Sequence, residues 1–218
     1  NGKLKNQFQT AYVLPLQFDI FKGEEKKNAV KNLVKLIEKS NYTVETGFPG
    51  TPYILFALCD NGEKTTAFRL LTSERCPSWL YEVKAGATTV WERWDGLDEK
   101  GCCPIGDDGT AAVMISYNHY ASGAACDFLY KRVLGIEPIE AGYKKFRIKP
   151  ITGGGITFAK GGVETPYGKV ESEWKEENGK FSLKVKIPFG TECVVTLPSG
   201  KTEEKGSGEY TFEEDGAE

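Results

Sequence analysis

The spacing of apolar residues changes from about 3.6 to 2 near Gly142, and no single helix or sheet accommodates both periods. Upstream, Ala29, Val30, Leu33, Val34 and Ile37 recur at helical spacing behind Glu24 and Glu25. Gly23 precedes that segment and Lys39 lies near its end, with acidic residues early and a basic one late, as the helix dipole favours. Residues 9–20 carry Ala11, Tyr12, Leu14, Leu16 and Ile20 around Pro15 and predict a mostly buried, kinked helix. Tyr53–Leu58 is apolar nearly all round, so it predicts a helix packed inside a larger assembly. Ala67, Phe68, Leu70 and Leu71 predict another after the Asn61-Gly62 turn, and Tyr120–Leu134 predicts a closing helix.

Downstream, Phe146 and Ile148 alternate with Arg147 and Lys149. Val170, Ser172 and Trp174 share one face, as do Phe181, Leu183, Val185 and Ile187, with Asn178-Gly179 as the hairpin turn between the two runs. Cys193, Val195 and Leu197 make another stripe, Pro198-Ser199-Gly200 a turn, and Tyr210 with Phe212 a last strand. The expected fold class is therefore α+β in two domains. A helical domain over 1–142 precedes an antiparallel β-sandwich over 143–218, and Pro138 and Gly142 interrupt the helix at the boundary. Several helices lack a polar face, so the helical domain reads as incomplete and in need of further helices.

Composition removes several classes. Lys and Arg number 28 against 31 Asp and Glu, for a net charge of -3 without a basic block, which argues against a nucleic-acid partner. No apolar run approaches the roughly 20 residues that span a bilayer, so no membrane partner is expected. The chain opens Asn1-Gly2-Lys3-Leu4 without an initiator Met or a signal-like apolar core, which reads as a cut end. Cys59, Cys76, Cys102, Cys103, Cys126 and Cys193 form no C-x-x-C pair. They read as reduced, structural thiols of a cytoplasmic bacterial protein. With one histidine in the chain, neither a metal site nor a cofactor is implied. Gly200-Lys201-Thr202 and Gly153-Gly154-Gly155 lack the strand-to-helix context of a phosphate loop.

Two constellations remain. Thr88-Thr89-Val90-Trp91-Glu92-Arg93-Trp94-Asp95 sets a carboxylate and a guanidinium between tryptophans. Sugar sites combine groups in this way, with rings on C–H faces and carboxylates on hydroxyls or water, although a buried Glu-Arg pair in an aromatic core fits the same residues. Ser116-Tyr117-Asn118-His119-Tyr120-Ala121 holds the single histidine, as a site residue, a satisfied core imidazole or a helix N-terminal residue. Pro77-Ser78-Trp79-Leu80-Tyr81 adds an aromatic cluster near a loop, lining the same cavity or simply packing.

Taken in order, Gln9-Thr10-Ala11-Tyr12, Thr46-Gly47-Phe48-Pro49-Gly50-Thr51-Pro52-Tyr53, Pro77–Tyr81, Gly86–Trp94, Asn118–Ala121, Tyr143–Phe146 with Ile148-Lys149-Pro150, and Thr165-Pro166-Tyr167-Gly168 resemble the α-L-rhamnosidases of glycoside hydrolase family 78. The resemblance implies that the helical domain is the later part of an (α/α)6 toroid, followed by the C-terminal β-sandwich. It implies that Glu92 is the general base of an inverting hydrolysis, activating water against the anomeric carbon of a terminal L-rhamnose. It also makes His119 a sugar contact and Trp79, Trp91 and Trp94 candidates for the cavity wall. The implied partners are a rhamnose-containing glycoside and the missing N-terminal barrel region of the same enzyme, with a homo-oligomer left open.

The family's general acid lies in an acidic, tryptophan-containing motif of the earlier barrel, and nothing in this chain matches it. The chain alone is therefore expected to be inactive. The Cys102–Ala112 loop, with Cys103, Asp107 and Asp108, also departs from the family pattern. Two other readings compete: a non-catalytic carbohydrate-binding or scaffold module, and a helical toroid with another glycosidase or lyase chemistry.

Overall fold

The computed structural model describes residues 2–97, 102 and 115–216. The chain divides into two compact units, Asn1–Ala125 and Cys126–Glu218. The change of apolar period stands later, near Gly142, so the segment 126–142 lies in the second unit rather than with the first.

In the first unit, α1 (Gln9–Gln17) buries Gln9, Tyr12, Val13 and Leu16 with Pro15 inside the helix. It is shorter than its apolar pattern suggests, because Asp19 turns to a positive φ of 52° and Ile20 is left exposed. α2 (Gly23–Lys39) follows the sequence closely, burying Ala29, Val30, Leu33 and Ile37. All six residues of α3 (Ile54–Cys59) are buried, as an all-apolar helix requires, and α4 (Lys64–Leu71) buries Ala67, Phe68, Leu70 and Leu71. The short helix α5 (Trp79–Lys84) forms where the sequence showed only an aromatic cluster.

The single helix expected over Tyr120–Leu134 is instead three pieces: α6 (Tyr120–Gly123), α7 (Ala125–Phe128) and a π-helical turn, Leu129–Val133. The first break falls beside Gly123, a residue type that weakens helix interiors. At the far end the Leu134 N–H reaches back five residues to the Leu129 carbonyl, 2.7 Å.

The second unit holds two four-stranded sheets, ordered β1-β2-β6-β7 and β3-β4-β5-β8. The strands are β1 (Ile136–Pro138), β2 (Lys145–Ile148), β3 (Phe158–Thr165), β4 (Gly168–Glu177), β5 (Lys180–Ile187), β6 (Glu192–Thr196), β7 (Thr202–Lys205) and β8 (Gly208–Asp215). The second sheet is antiparallel throughout, with Trp174 opposite Leu183 and Leu183 opposite Phe212. Asn178 and Gly179 both take positive φ, 53° and 71°, the combination a tight hairpin turn demands. Each sheet buries one face: Val170, Ser172, Trp174, Phe181, Leu183, Val185 and Ile187 on one, Ile136, Phe146, Ile148, Cys193 and Val195 on the other. These two apolar faces make the sandwich core.

Two details depart from expectation. β2 and β6 run parallel, Phe146 beside Cys193 and Ile148 beside Val195, so the first sheet is mixed rather than antiparallel. A parallel neighbour requires a long crossover, which the β3–β5 excursion through the other sheet supplies. The stretch containing Pro138 is an edge strand, not the frayed end of a helix; an edge tolerates the missing N–H. No helix among the described residues is long and apolar enough to cross a membrane.

Candidate active site

The site region is built from loops held by short helices. Ser78 is the N-cap of α5, its hydroxyl accepting the Tyr81 N–H at 3.2 Å. The helix stops in two backbone bonds: Gly86 N–H to Val83 carbonyl, 3.0 Å, and Ala87 N–H to Glu82 carbonyl, 2.9 Å. That closing turn needs a left-handed residue, supplied by Gly86 at φ 88°. The chain then enters the segment that carries Trp91, Glu92 and Trp94.

That segment lies against residues 116–119. Glu92 N–H donates to the Ser116 carbonyl at 2.9 Å, and Ser116 N–H donates to Glu92 Oε2 at 2.8 Å. His119 N–H donates to the Val90 carbonyl at 2.7 Å, and the Thr89 hydroxyl bonds the Tyr117 carbonyl. Two segments separated by some 25 residues in sequence thus fix each other, and Glu92 is held at both its backbone and its carboxylate. Arg93 does not pair with Glu92; its guanidinium grips Asp95 in two bonds of 3.0 and 2.9 Å at the surface. The buried Glu-Arg pair that the sequence left open is absent here.

The rings meet in pairs. Trp79 meets Trp94 edge-on at 5.4 Å, and Trp91 meets Tyr117 edge-on at 5.7 Å. The Trp79 indole N–H donates to the Ser122 carbonyl at 2.9 Å, while the Tyr117 hydroxyl donates to the Gly96 carbonyl at 3.1 Å. Gly96 is closely packed: a Cβ there would lie 3.1 Å from the Trp91 ring and 3.2 Å from the Arg93 carbonyl, so these neighbours would have to give by a few tenths of an ångström. Trp91 and Trp79 are 3% and 9% exposed, so Trp94 presents the more accessible indole of the three.

His119 stands at the N-terminus of α6 without capping it through its side chain. Its ring stacks on Phe48 at 4.5 Å and 15°, and parallel to Tyr120 at 5.9 Å. Phe48 and Tyr120 are 45% and 90% exposed. Buried Nδ1 of His119 has no hydrogen-bond partner among the described residues. The loop bearing Phe48 is closed by Thr46 and Thr51, whose hydroxyls bond at 2.8 Å.

Behind Trp91 sits a carboxylate the sequence reasoning missed. Glu82 is 3% exposed, and its Oε2 accepts the Trp91 N–H at 3.2 Å. Burial raises it from 4.5 to about 7, with the Trp91 hydrogen bond opposing the shift. Its signal was present in the sequence: from the Ser78 cap, Glu82 lies three residues after Trp79 and so on the same helical face. Among the described residues no three His, Cys, Asp or Glu side chains group to hold a metal ion. Cys103, Asp107 and Asp108 lie outside the described residues; Cys102 is exposed. Gly200-Lys201-Thr202 closes the turn between β6 and β7.

The structure therefore ties the segment of Trp91 and Glu92 to that of Ser116 and His119 by hydrogen bonds, and pairs Trp79 with Trp94 and Trp91 with Tyr117, all within the first unit. The model of the bacterial α-L-rhamnosidase six-hairpin glycosidase domain matches residues 1–133, and that of the bacterial α-L-rhamnosidase C-terminal domain matches residues 135–212. This chain belongs to the α-L-rhamnosidases. A Formosa agariphila α-L-rhamnosidase is 38% identical over 206 residues, which are 93% of this chain and 22% of that protein. One from Streptomyces avermitilis is 37% identical over 199 residues, 91% of this chain and 19% of that protein. The chain thus spans about a fifth of the length of these relatives. Among solved structures, the native Aspergillus terreus α-L-rhamnosidase superposes with a TM-score of 0.91 at 35% identity over 98% of this chain and 24% of that one. The Streptomyces avermitilis α-L-rhamnosidase complexed with L-rhamnose gives 0.89 at 34% identity over 98% of this chain and 22% of that one. This chain and these relatives share both the helical and the β portions.

Proposed function

We propose that this chain forms the water-activating half of an inverting α-L-rhamnosidase site, in a longer polypeptide whose earlier barrel supplies the general acid. The observation that carries the reading is the clasp on Glu92: its backbone N–H on the Ser116 carbonyl and its Oε2 on the Ser116 N–H. A general base works only when its oxygens are held in line with the water they deprotonate. In the proposed reaction Glu92 takes a proton from water while that water's oxygen attacks the anomeric carbon. The upstream acid delivers a proton to the departing glycosidic oxygen, and the sugar leaves with inverted configuration. The carboxyl groups of such a pair stand about 6.5–9.5 Å apart, leaving room for the water.

The surrounding groups fit a 6-deoxy sugar. Trp94, braced by Trp79, offers a ring for the apolar methyl and C–H faces, and Trp91 backs the wall through Tyr117. His119, fixed by its stack on Phe48, would donate to a sugar hydroxyl. The L-rhamnose held by the Streptomyces avermitilis relative supports a terminal α-L-rhamnoside as substrate.

The test assays this chain on p-nitrophenyl α-L-rhamnopyranoside beside a polypeptide that also carries the preceding barrel region. Turnover only in the longer polypeptide, lowered about 10²–10⁴-fold by Glu92→Gln with the fold intact, is the expected result. Turnover by this chain alone would place a general acid within its own residues. Undiminished turnover of the Glu92→Gln polypeptide would make this segment a binding module and not the source of the base.

A further inference from the structure

We propose that Glu82 is a positioning residue for Glu92: its buried carboxyl group holds the Trp91 N–H, and so sets where the next residue carries the base. The proposal rests on Glu92 being that base. Glu82 is an unusual choice for this place. A helix as short as α5, packed through Trp79, would be served by an apolar side chain, and burying a carboxyl group costs free energy unless it is hydrogen-bonded. One of its oxygens, Oε2, does have a partner, the Trp91 N–H. The other, Oε1, is buried without one among the described residues. A group kept in that state has to answer for itself elsewhere. The bond that Oε2 accepts falls on the backbone immediately before Glu92. Burial also keeps Glu82 from a sugar, so its action is through Trp91.

The consequence is a proton-dependent brace. Burial lifts the carboxyl group to about 7, so it is neutral in mildly acidic solution and acquires a charge as the pH rises past neutrality. Among the described residues no basic group answers that charge. On the flanking segment the Cys76 thiol is itself pushed up by burial, by Asp95 and by Glu82. Arg93 is taken up by Asp95, and Glu92 is bound to the Ser116 N–H. The hydroxyls of Tyr81 and Tyr117 donate to the Leu97 and Gly96 carbonyls, and Lys84 on the same helix pairs with Glu74 at the surface. An uncompensated charge beneath Trp91 disfavours the clasped arrangement and loosens the base's backbone.

The experiment measures kcat and KM from about pH 5 to about pH 9 in the polypeptide that carries the upstream barrel, for the wild type, Glu82→Gln, Glu82→Leu and Glu92→Gln. Circular dichroism follows the fold of each. Loss of the acceptor in Glu82→Leu should lower kcat about tenfold or more with little change in KM, as a displaced base does. Glu82→Gln keeps an acceptor oxygen for Trp91 but cannot ionise. It should restore most of that kcat and make the decline in kcat near neutral pH shallower than in the wild type, leaving only the limb set by the upstream acid. Wild-type kcat in a folded Glu82→Leu variant, or the same alkaline decline in Glu82→Gln, would overturn the proposal. Should Glu82→Leu fail to fold, the Glu82→Gln profile decides alone. Glu92→Gln separates the two ideas: if it still turns over, the base assignment has failed, whatever Glu82 does.

Discussion

On the inner strands of the β unit a residue's type announces its environment, whereas around the candidate site the two part company. Along β5 the burial alternates without a break, with Phe181, Leu183, Val185 and Ile187 inward and Lys180, Lys184 and Lys186 outward. Even the polar exceptions there are satisfied: Ser172 and the Trp174 indole donate to the Leu134 and Val133 carbonyls at 3.0 and 2.7 Å. In the helical unit Glu82 has one buried oxygen and His119 one buried nitrogen without a partner among the described residues, and Tyr120 stands almost fully exposed. A scaffold can satisfy every group, because nothing else is asked of it. If the helical unit holds a reacting carboxylate, as proposed, groups kept in states that packing alone would not select are what such a region would carry.

That contrast can be broken by mutation. The largest stability effect should come from the scaffold. Trp174→Ala removes the largest fully buried side chain among the described residues and orphans the Val133 carbonyl, which should cost roughly 3–5 kcal/mol in urea unfolding followed by circular dichroism. A loss under about 1 kcal/mol would show that this face is not the core.

The next effect has the opposite sign. The folded Glu82 binds its proton more tightly than an unfolded glutamate, so its burden is absent below pH 4.5, grows as the pH rises, and is complete above about 7. Glu82→Gln should therefore match the wild type in acid and gain stability up to about 3 kcal/mol by mildly alkaline pH. A stability difference independent of pH would mean that Glu82 is not held protonated, and the contrast between the two regions would lose its clearest case.

The smallest effect sharpens the point that ordinary parts of the helical unit behave ordinarily. Ser78→Ala removes the cap of α5 and should cost about 1 kcal/mol, read as a small, pH-independent fall in the unfolding midpoint. A pH-dependent loss would instead tie the cap to Glu82, four residues on.

The strands that the sequence revealed were those with one buried face. β2, β4, β5, β6 and β8 show alternation because water is on one side only. β3, with Gly161 and Gly162 at its centre, and β7, Thr202-Glu203-Glu204-Lys205, carry no apolar alternation and were silent. The parallel pairing of β2 with β6 was equally hidden, since a period of two is the same in either direction. The breaks within Tyr120–Leu134 went unseen for a related reason: helical periodicity survives a turn of π-helix nearly intact.

For the candidate site, the sequence by itself supplied the family resemblance and the short runs around Trp79, Trp91, Glu92, Trp94 and His119. Local order suffices for that, because each run is contiguous. Only the tertiary structure decided that Ser116 holds Glu92, that Phe48 stacks on His119, that Arg93 turns to Asp95, and that Glu82 lies under Trp91. Each of these depends on which distant segments come within hydrogen-bond or ring-contact range and on how much water they exclude. Periodicity records which face of an element meets water; it carries no record of what lies on the other side.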